Sequence, residues 1–228
     1  MRAAARLFAA ARLFAASLVV AAAPAAARMP AIVQQVTPKA FAYVPAELTS
    51  PAPLIVLLHG AGGDARNFLD QFRRDADARG VILISVQSNG RTWAQRKPKD
   101  GEADVANIKA AITGLSARAP IEAGRTTVMG FSDGASYALS VGMAYPNLFR
   151  TIVAFSPGYA FAPPSLDKDQ RIFIAHSRRD PILPAENTRQ MVKGLESAGF
   201  APEVHWFNGG HEIDVGLKKA AFDFALAQ

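Results

Sequence analysis

Apolar runs alternate along this chain with segments of helical periodicity. Residues 54–58 form an uninterrupted aliphatic run, which is typical of a strand buried on both faces of a parallel sheet. The glycine-rich residues 60–63 end this run, and residues 65–79 then show helical spacing up to Gly80. The pattern therefore predicts a strand, a turn and a helix in succession.

The same succession recurs to the end of the sequence. Predicted strands cover residues 40–44, 54–58, 81–86, 126–129, 151–155, 171–175 and 203–207. Predicted helices cover residues 65–79, 105–115, 133–145, 185–198 and 212–226, and residues 87–101 form a polar loop. This alternation predicts one α/β domain over residues 28–228, built on a doubly wound, mostly parallel sheet.

The N-terminal segment, residues 1–27, has the pattern of a signal peptide. It contains three arginines and no acidic residue, and an apolar stretch covers residues 13–23. That stretch is shorter than the ~20 residues with which a helix crosses a bilayer. Cleavage after Ala27 or after Ala23 would release a periplasmic or extracellular protein with no stable membrane insertion. The alternative is an uncleaved, alanine-rich amphipathic helix.

Composition and charge exclude several classes of function. The chain has 228 residues, half of them hydrophobic, and a formal net charge of +6, to which the N-terminal segment contributes three positive charges. The remaining +3 is too small to indicate nucleic-acid binding, and no basic stripe with interleaved aromatic residues is present. The chain contains no cysteine, which excludes disulfides and a thiolate nucleophile.

The strongest chemical signal is the sequence Gly-Phe-Ser-Asp-Gly at residues 130–134. It follows a predicted strand and begins a predicted helix, which is the context of a nucleophile elbow. Gly130 and Gly134 would remove side chains that collide with the neighbouring strand and helix. Ser132 is therefore the predicted nucleophile, held at a helix N-terminus where developing negative charge is stabilised. A plain tight turn is the alternative.

A serine nucleophile needs a general base, and the chain has four histidines. His205 lies within the final strand and is expected to be a packed side chain. His176 ends a strand and would brace the following loop, and His59 is expected to be structural in its turn. His211 follows the last strand, where open α/β sheets place their sites, and it is the predicted base. An exposed loop histidine is the alternative.

The predicted acid is Asp180, on the loop after the preceding strand. A carboxylate at that position would fix the tautomer of the base and stabilise its charged form. Asp180 could instead start the turn before Pro181, because Asp-Pro sequences favour turns. Asp167 and Asp169 precede the strand and should lie at its opposite end.

A tetrahedral intermediate requires amide donors for its oxyanion. One predicted donor is the amide of Asp133, directly after the nucleophile. The second should come from the glycine-rich turn at residues 59–63, where Ala61 is the first choice and Gly62 the next. These glycines could equally form a plain flexible turn.

These segments together resemble a known family. His59-Gly60-Ala61-Gly62, residues 130–134, residues 176–184 and Gly210-His211 are similar to the phospholipase/carboxylesterase branch of the α/β-hydrolases, to which dienelactone hydrolases and acyl-protein thioesterases are related. The resemblance spans nearly all of residues 52–212. It implies hydrolysis of a small-molecule ester through an acyl-enzyme, without a metal or an organic cofactor. Asp133, Ala135 and Ser177 depart from the residues frequent in that branch, which are Gln, Gly and Gly.

The loops at the carboxyl ends of the strands would form the substrate pocket. Only residues 156–170, with three prolines, separate two predicted strands where a cap domain would be inserted, so we expect an open site without a large cap. Such a site favours small or short-chain esters. The candidate pocket residues are Trp93, Tyr159, Phe161, Ile182 and Leu183.

Three other functions fit the same pattern. A secreted polyester or feruloyl-type esterase would suit export. A serine peptidase could use the same fold, although the sequence provides no large domain to select peptides. A non-catalytic binding protein is the third, although such proteins usually lose a member of the triad. The sequence does not determine the oligomeric state.

Overall fold

The computed structural model describes residues 33–48, 51–93, 98–163 and 165–227. The predicted signal peptide, residues 1–27, lies outside the described residues. The strands are β1 (Val33–Thr37), β2 (Ala40–Tyr43), β3 (Ala52–Leu58), β4 (Ile82–Val86), β5 (Ile121–Phe131), β6 (Thr151–Phe155), β7 (Arg171–Ser177) and β8 (Glu203–Phe207). The helices are α1 (Ala65–Asp70), α2 (Arg73–Arg79), α3 (Pro98–Ser116), α4 (Asp133–Ala144), α5 (Ala185–Ser197) and α6 (Val215–Leu226).

The eight strands form one sheet in the order β1-β2-β4-β3-β5-β6-β7-β8. The pairs β1–β2 and β2–β4 are antiparallel, and all other neighbours are parallel. Because parallel strands end at the same edge, the loops after β3, β5, β6, β7 and β8 gather at one edge of the sheet. The predicted doubly wound, mostly parallel α/β architecture is confirmed.

Side chains of each central strand alternate between two buried layers. In β3, Leu54, Val56 and Leu58 pack on the side of α3, α4 and α5, whereas Ile55 and Leu57 pack on the side of α1, α2 and α6. Every residue from 54 to 58 is fully buried. A strand covered on both faces has no reason to alternate polar and apolar residues, which explains the continuous aliphatic run.

Several predicted boundaries were wrong. The helix predicted over residues 65–79 is two helices, because the chain turns at Gln71 and Phe72 and so buries the Phe72 ring against Phe68. The last helix begins at Val215 rather than at residue 212. Asp214 caps it, since its side chain accepts the amide hydrogen of Leu217 at 2.9 Å.

Other differences lie at the edge of the sheet and in the loop before α3. Strand β1 was missed, since its sequence is polar and only half-buried at the sheet edge. Strand β5 extends from Ile121 to Phe131, well beyond the predicted residues 126–129. Helix α3 begins at Pro98, inside the segment predicted as a loop. Among the described residues, no helix is long and apolar enough to cross a membrane.

Candidate active site

Ser132 lies at the sharp turn between β5 and α4. Its backbone has φ 56° and ψ −118°, a combination that is strained for a residue with a side chain. The amide of Ser132 donates to the carbonyl of Phe155 at the end of β6, at 2.9 Å, which anchors the turn to the sheet. This is the geometry of a nucleophile elbow, with the serine hydroxyl presented at the carboxyl edge of the sheet.

The two glycines of the elbow are required by close backbone contacts. A Cβ atom on Gly130 would collide with the carbonyl of Gly134, and one on Gly134 would collide with the carbonyl of Leu58. No side chain can relieve these collisions, because the opposing atoms belong to the backbone of β3 and α4. The spacing of the glycines around Ser132 therefore follows from the packing of α4 against the sheet.

The structure brings Ser132, His211 and Asp180 together at this edge. His211 Nε2 lies 2.8 Å from Ser132 Oγ, and His211 Nδ1 lies 2.6 Å from Asp180 Oδ2. A carboxylate accepts, so Nδ1 carries the hydrogen and Nε2 is left to accept the proton of the Ser132 hydroxyl. The three side chains come from the loops after β5, β7 and β8, and His211 is 79 residues from Ser132 in the sequence.

The Asp180 carboxylate is buried but well supplied with donors. Its Oδ1 accepts the amides of Ile182 and Leu183 at 2.8 and 2.9 Å, while its Oδ2 accepts from His211. Burial opposes ionisation, but the hydrogen bonds from His211 and from the two amides outweigh it, and the pKa of Asp180 is below its ordinary value. The carboxylate is therefore held ionised, in one orientation, toward His211.

Ser177 joins the loop of Asp180 to the loop of His211. Its hydroxyl donates to the carbonyl of Gly209 at 2.5 Å and accepts the amide of the same residue at 3.1 Å. It also accepts the amide of Arg179 at 3.1 Å. The sequence showed only that a serine stands where relatives often have glycine. The structure gives that serine a contact with both loops that carry Asp180 and His211.

The remaining histidines have structural partners. His59 is buried, its Nδ1 donates to Gly60 O at 2.7 Å, and its Nε2 accepts the amide of Ser88 at 3.2 Å. His205 stacks on Phe173 and bonds Glu203 at 2.6 Å on the outer strand of the sheet. His176 is fully buried at the end of β7, beside the Asp180 loop. These positions fit the structural roles expected for all three.

The two predicted oxyanion donors in the turn after β3 differ in their hydrogen bonding. Ala61 is an exposed residue, and its amide has no acceptor among the described residues. The choice of Gly62 was wrong, because its amide donates to the Arg91 carbonyl at 2.6 Å. That bond fixes the turn and uses the amide hydrogen that Gly62 would otherwise donate to a substrate. The amide of Asp133 stands at the first position of α4, where helix amides point out of the N-terminus.

The Asp133 side chain has a role that the sequence did not reveal. Its Oδ2 accepts the amide of Trp93 at 2.9 Å, and its Oδ1 accepts the hydroxyl hydrogen of Tyr159 at 2.9 Å. The carboxylate thus joins the loop after β4 to the loop after β6, directly beside Ser132. An aspartate at the start of a helix is also favoured by the helix dipole.

The predicted pocket residues divide into buried and exposed groups. Trp93 was wrongly predicted as a pocket wall: it is 3% exposed, its indole donates to His59 O at 2.8 Å, and its ring stacks on Tyr137. Tyr159 is half-buried, with its hydroxyl on Asp133. Phe161 and Ile182 are exposed at the rim, and Leu183 packs against Gly158.

Within the described part of the chain, no group of three or more histidine and carboxylate side chains is placed to hold a metal ion.

Comparison with known proteins connects this geometry to a family. A model of the family described as Phospholipase/Carboxylesterase matches residues 91–224, which is more than half of the chain. The "Putative hydrolase MhqD" of Bacillus subtilis (strain 168) is 25% identical over 171 residues, covering 70% of this chain and 86% of that protein. Feruloyl esterase B of Neurospora crassa is 30% identical over 126 residues, covering 52% of this chain but only 43% of that protein.

Among solved structures, the carboxylesterase of Bacillus cereus superposes with a TM-score of 0.65 over 86% of this chain and 96% of its own. At 21% identity this likeness is evidence for the fold alone. The match of the family model over residues 91–224 includes Ser132, Asp180 and His211. The chain belongs to the phospholipase/carboxylesterase family of α/β-hydrolases, a family of esterases and related hydrolases.

Proposed function

We propose that this protein is a serine carboxylesterase that hydrolyses small or short-chain carboxylic esters through an acyl-enzyme. The observation that carries the proposal is the continuous hydrogen-bonded row of Ser132, His211 and Asp180, at 2.8 and 2.6 Å. A nucleophile within hydrogen-bond reach of a base that is itself oriented by a carboxylate is the arrangement of an activated serine.

In the proposed first half-reaction, Ser132 Oγ attacks the ester carbonyl carbon while His211 Nε2 takes its proton. The amides of Ala61 and Asp133 bind the oxyanion of the tetrahedral intermediate. The intermediate collapses as His211 returns the proton to the leaving alkoxide, which departs as an alcohol. Ser132 is left esterified to the acyl group.

In the second half-reaction, water attacks the acyl-enzyme. His211 removes one proton from that water and then donates it to Ser132 Oγ as the second intermediate collapses. The carboxylic acid leaves and the free enzyme is restored. Throughout, Asp180 remains ionised and stabilises the positive charge that His211 carries in each intermediate. The lowered pKa of Asp180 supports this role, because it favours the ionised carboxylate.

The proposed substrate size rests on the loop between β6 and β7. This connection covers residues 156–170 only, which is too short for a helical cap domain. An open site binds its substrate through loop side chains and has no lid that a lipid surface could displace. Short acyl groups and soluble esters are therefore the expected substrates.

A feruloyl-type esterase is the second candidate within the same chemistry. Phe161 is 47% exposed and Ile182 is 65% exposed, and both lie on loops at the edge that carries Ser132. Exposed apolar side chains at a binding edge favour contact with an aromatic or apolar part of the substrate. Export to the periplasm or cell exterior, proposed from the N-terminal segment, would suit either substrate class.

Labelling with a fluorophosphonate tests the reaction class. The wild-type protein should gain one covalent adduct, mapped by mass spectrometry to Ser132, and should hydrolyse p-nitrophenyl acetate. Ser132→Ala should lose both properties while keeping its circular dichroism spectrum and its unfolding midpoint. Retention of more than a tenth of the wild-type rate by the folded variant would show that Ser132 is not the nucleophile. A folded wild-type protein that is neither labelled nor active would favour the binding-protein alternative.

A panel of p-nitrophenyl esters from acetyl to palmitoyl tests the substrate class. We expect the highest kcat/KM for the short chains and no rise in rate where the long-chain esters begin to aggregate. Methyl ferulate, compared with methyl butyrate, tests the aromatic alternative. A preference for palmitoyl ester, with a sharp increase above its aggregation point, would contradict the open site and indicate a lipase.

A further inference from the structure

A second imidazole, that of His176, lies beside the acid of the proposed triad. Its side chain is fully buried, and its Nε2 is 2.9 Å from the carbonyl of Leu183 and 3.5 Å from Asp180 Oδ2. Its Nδ1 is 2.8 Å from the hydroxyl of Thr188 in α5, which is also fully buried. Neither half-reaction described above uses either residue.

The acceptors around His176 determine its tautomer. The Leu183 carbonyl can only accept, so Nε2 carries a hydrogen. Burial lowers the pKa of His176, which favours the neutral ring with Nδ1 as an acceptor for the Thr188 hydroxyl. The single hydrogen of that hydroxyl has a second acceptor in the carbonyl of Pro157, 3.1 Å away in the loop after β6, so the two acceptors share it. His176 and Thr188 thus connect the acid loop, α5 and the loop that follows β6.

The contacts converge on Leu183. Its amide donates to Asp180 Oδ1, and its carbonyl accepts from His176 Nε2. Leu183 is therefore held at both of its backbone polar groups, once by the acid and once by the buried imidazole. If the His176 ring rotated, the Leu183 carbonyl would lose its partner and the amide that orients the Asp180 carboxylate would be free to move.

We propose that His176 and Thr188 are positioning residues, which hold the Asp180 carboxylate in the orientation that His211 requires. The inference rests on the proposed serine esterase function, and it adds two residues that act on the base only through the acid. Supporting groups around a reacting centre commonly affect activity about 10- to 100-fold when they are removed, as the outer partners of metal ligands do.

The charged groups facing His176 point to a measurable pH effect. Asp180 stabilises positive charge on the His176 ring, while His211 and Arg189 oppose it. The ring centroids of His176 and Trp206 are 6.1 Å apart.

A change at His176 acts on the base through Asp180. When the Asp180 carboxylate is less well oriented, it stabilises protonated His211 less. The acid limb of the kcat/KM profile, which reports protonation of the base, should then move to lower pH.

Thr188→Val and Thr188→Ser form a matched pair for the test. Valine has nearly the shape of threonine but no hydroxyl, whereas serine keeps the hydroxyl that His176 needs. For p-nitrophenyl acetate, we expect Thr188→Val to lower kcat about tenfold at a KM within a factor of two, and to move the acid limb to lower pH. Thr188→Ser should keep a kcat and an acid limb near those of the wild type. His205→Asn, which changes a histidine whose partners are Phe173 and Glu203, should match the wild type in both.

Two outcomes would overturn the proposal. One is a folded Thr188→Val enzyme with wild-type kcat and an unchanged acid limb, whatever its melting temperature, because a purely structural hydroxyl would affect stability alone. The other is an equal loss in Thr188→Val and Thr188→Ser. If Thr188→Val does not fold, His176→Gln decides in its place. Glutamine can keep a donor near Leu183 O but provides no counterpart of Nδ1. The His176→Gln enzyme should therefore show the same shift of the acid limb of its kcat/KM profile. An unshifted acid limb would reject the proposal.

The two proposals fail in different ways. A wild-type protein without ester hydrolysis or fluorophosphonate labelling would reject the proposed function itself. An active wild-type enzyme whose Thr188 variants are indistinguishable would reject only the positioning role.

Discussion

The Tyr159 hydroxyl donates to Asp133 Oδ1 at 2.9 Å, and this bond ties the loop after β6 to the residue that follows Ser132. The second oxygen of the same carboxylate accepts the amide of Trp93. The backbone amide of Asp133 is a proposed oxyanion donor. The Asp133 side chain thereby fixes the position of its own backbone amide. An oxyanion donor has to be placed to within a few tenths of an ångström of its hydrogen-bonding position.

Tyr159→Phe should therefore lower kcat more than it changes KM for short esters, since the ring remains and only the bond to Asp133 is lost. We expect a loss of several-fold, smaller than the 10²–10³-fold associated with removing an oxyanion donor outright. Steady-state kinetics with p-nitrophenyl acetate measures it. Tyr145→Phe, on a tyrosine whose ring lies against Lys109, is the matched control and should have no effect. Equal kcat in both variants would show that the Asp133 bond is dispensable.

Asp180→Asn should reduce kcat/KM on the order of 10⁴-fold, by analogy with other triads in which the acid was replaced by its amide. The amide side chain can place a donor against His211 Nδ1 and so favours the wrong tautomer. Asp167→Asn is the control, because Asp167 pairs with Arg150 at 3.2 Å before β7 begins, at the opposite edge of the sheet. Asp169→Asn should be equally mild. A comparable loss in either control, with the protein folded, would mean that the acid has been misplaced.

His211→Gln should be nearly inactive, and the wild-type activity should fall as the pH is lowered, because only neutral imidazole can accept the proton of Ser132. His205→Gln should retain activity, since that ring stacks on Phe173 and bonds Glu203. The measurement is kcat/KM for a short ester across the acid range. The assignment would be wrong if the ranking of the two variants were reversed.

The free energy of unfolding should decrease in weak acid, at a pH above the ordinary pKa values of carboxylates. Burial lowers the pKa of both His59 and His176 in the folded protein. As pH falls below the usual histidine value of about 6.5, the unfolded chain binds protons that the folded protein does not, so the free energy of unfolding falls. The lowered pKa of Asp180 adds a second loss only below the ordinary carboxylate range.

Urea unfolding at pH 7.5 and pH 5.5 measures this effect. We expect a lower midpoint at pH 5.5, and a smaller change in His59→Gln, which removes one of the two buried rings. His205→Gln is the matched control and should keep the full wild-type change, since it leaves both buried rings in place. An unchanged wild-type midpoint would show that the two buried histidines take up protons as readily in the folded protein as in the unfolded chain.

The sequence by itself determined the parts that depend on neighbours along the chain. Continuous aliphatic runs predicted the buried strands β3 and β6. The glycine spacing around Ser132 predicted a tight turn. Only glycine fits at those two positions, because the backbones of β3 and α4 lie so close to them. Asp180 and His211 could be selected because the loops after parallel strands must meet at one edge of the sheet. Their positions required no knowledge of side-chain contacts.

Only the tertiary structure decided which groups at that edge are available and which are already bonded. Gly62 lost its predicted role because the carbonyl of Arg91, on the loop after β4, accepts its amide, and Trp93 lost its role because its indole meets the carbonyl of His59. Ser177 and Asp133 gained roles through partners on other loops. A hydrogen bond has one donor and one acceptor fixed within about 3 Å of each other, and such pairings between distant loops leave no periodic trace in the sequence.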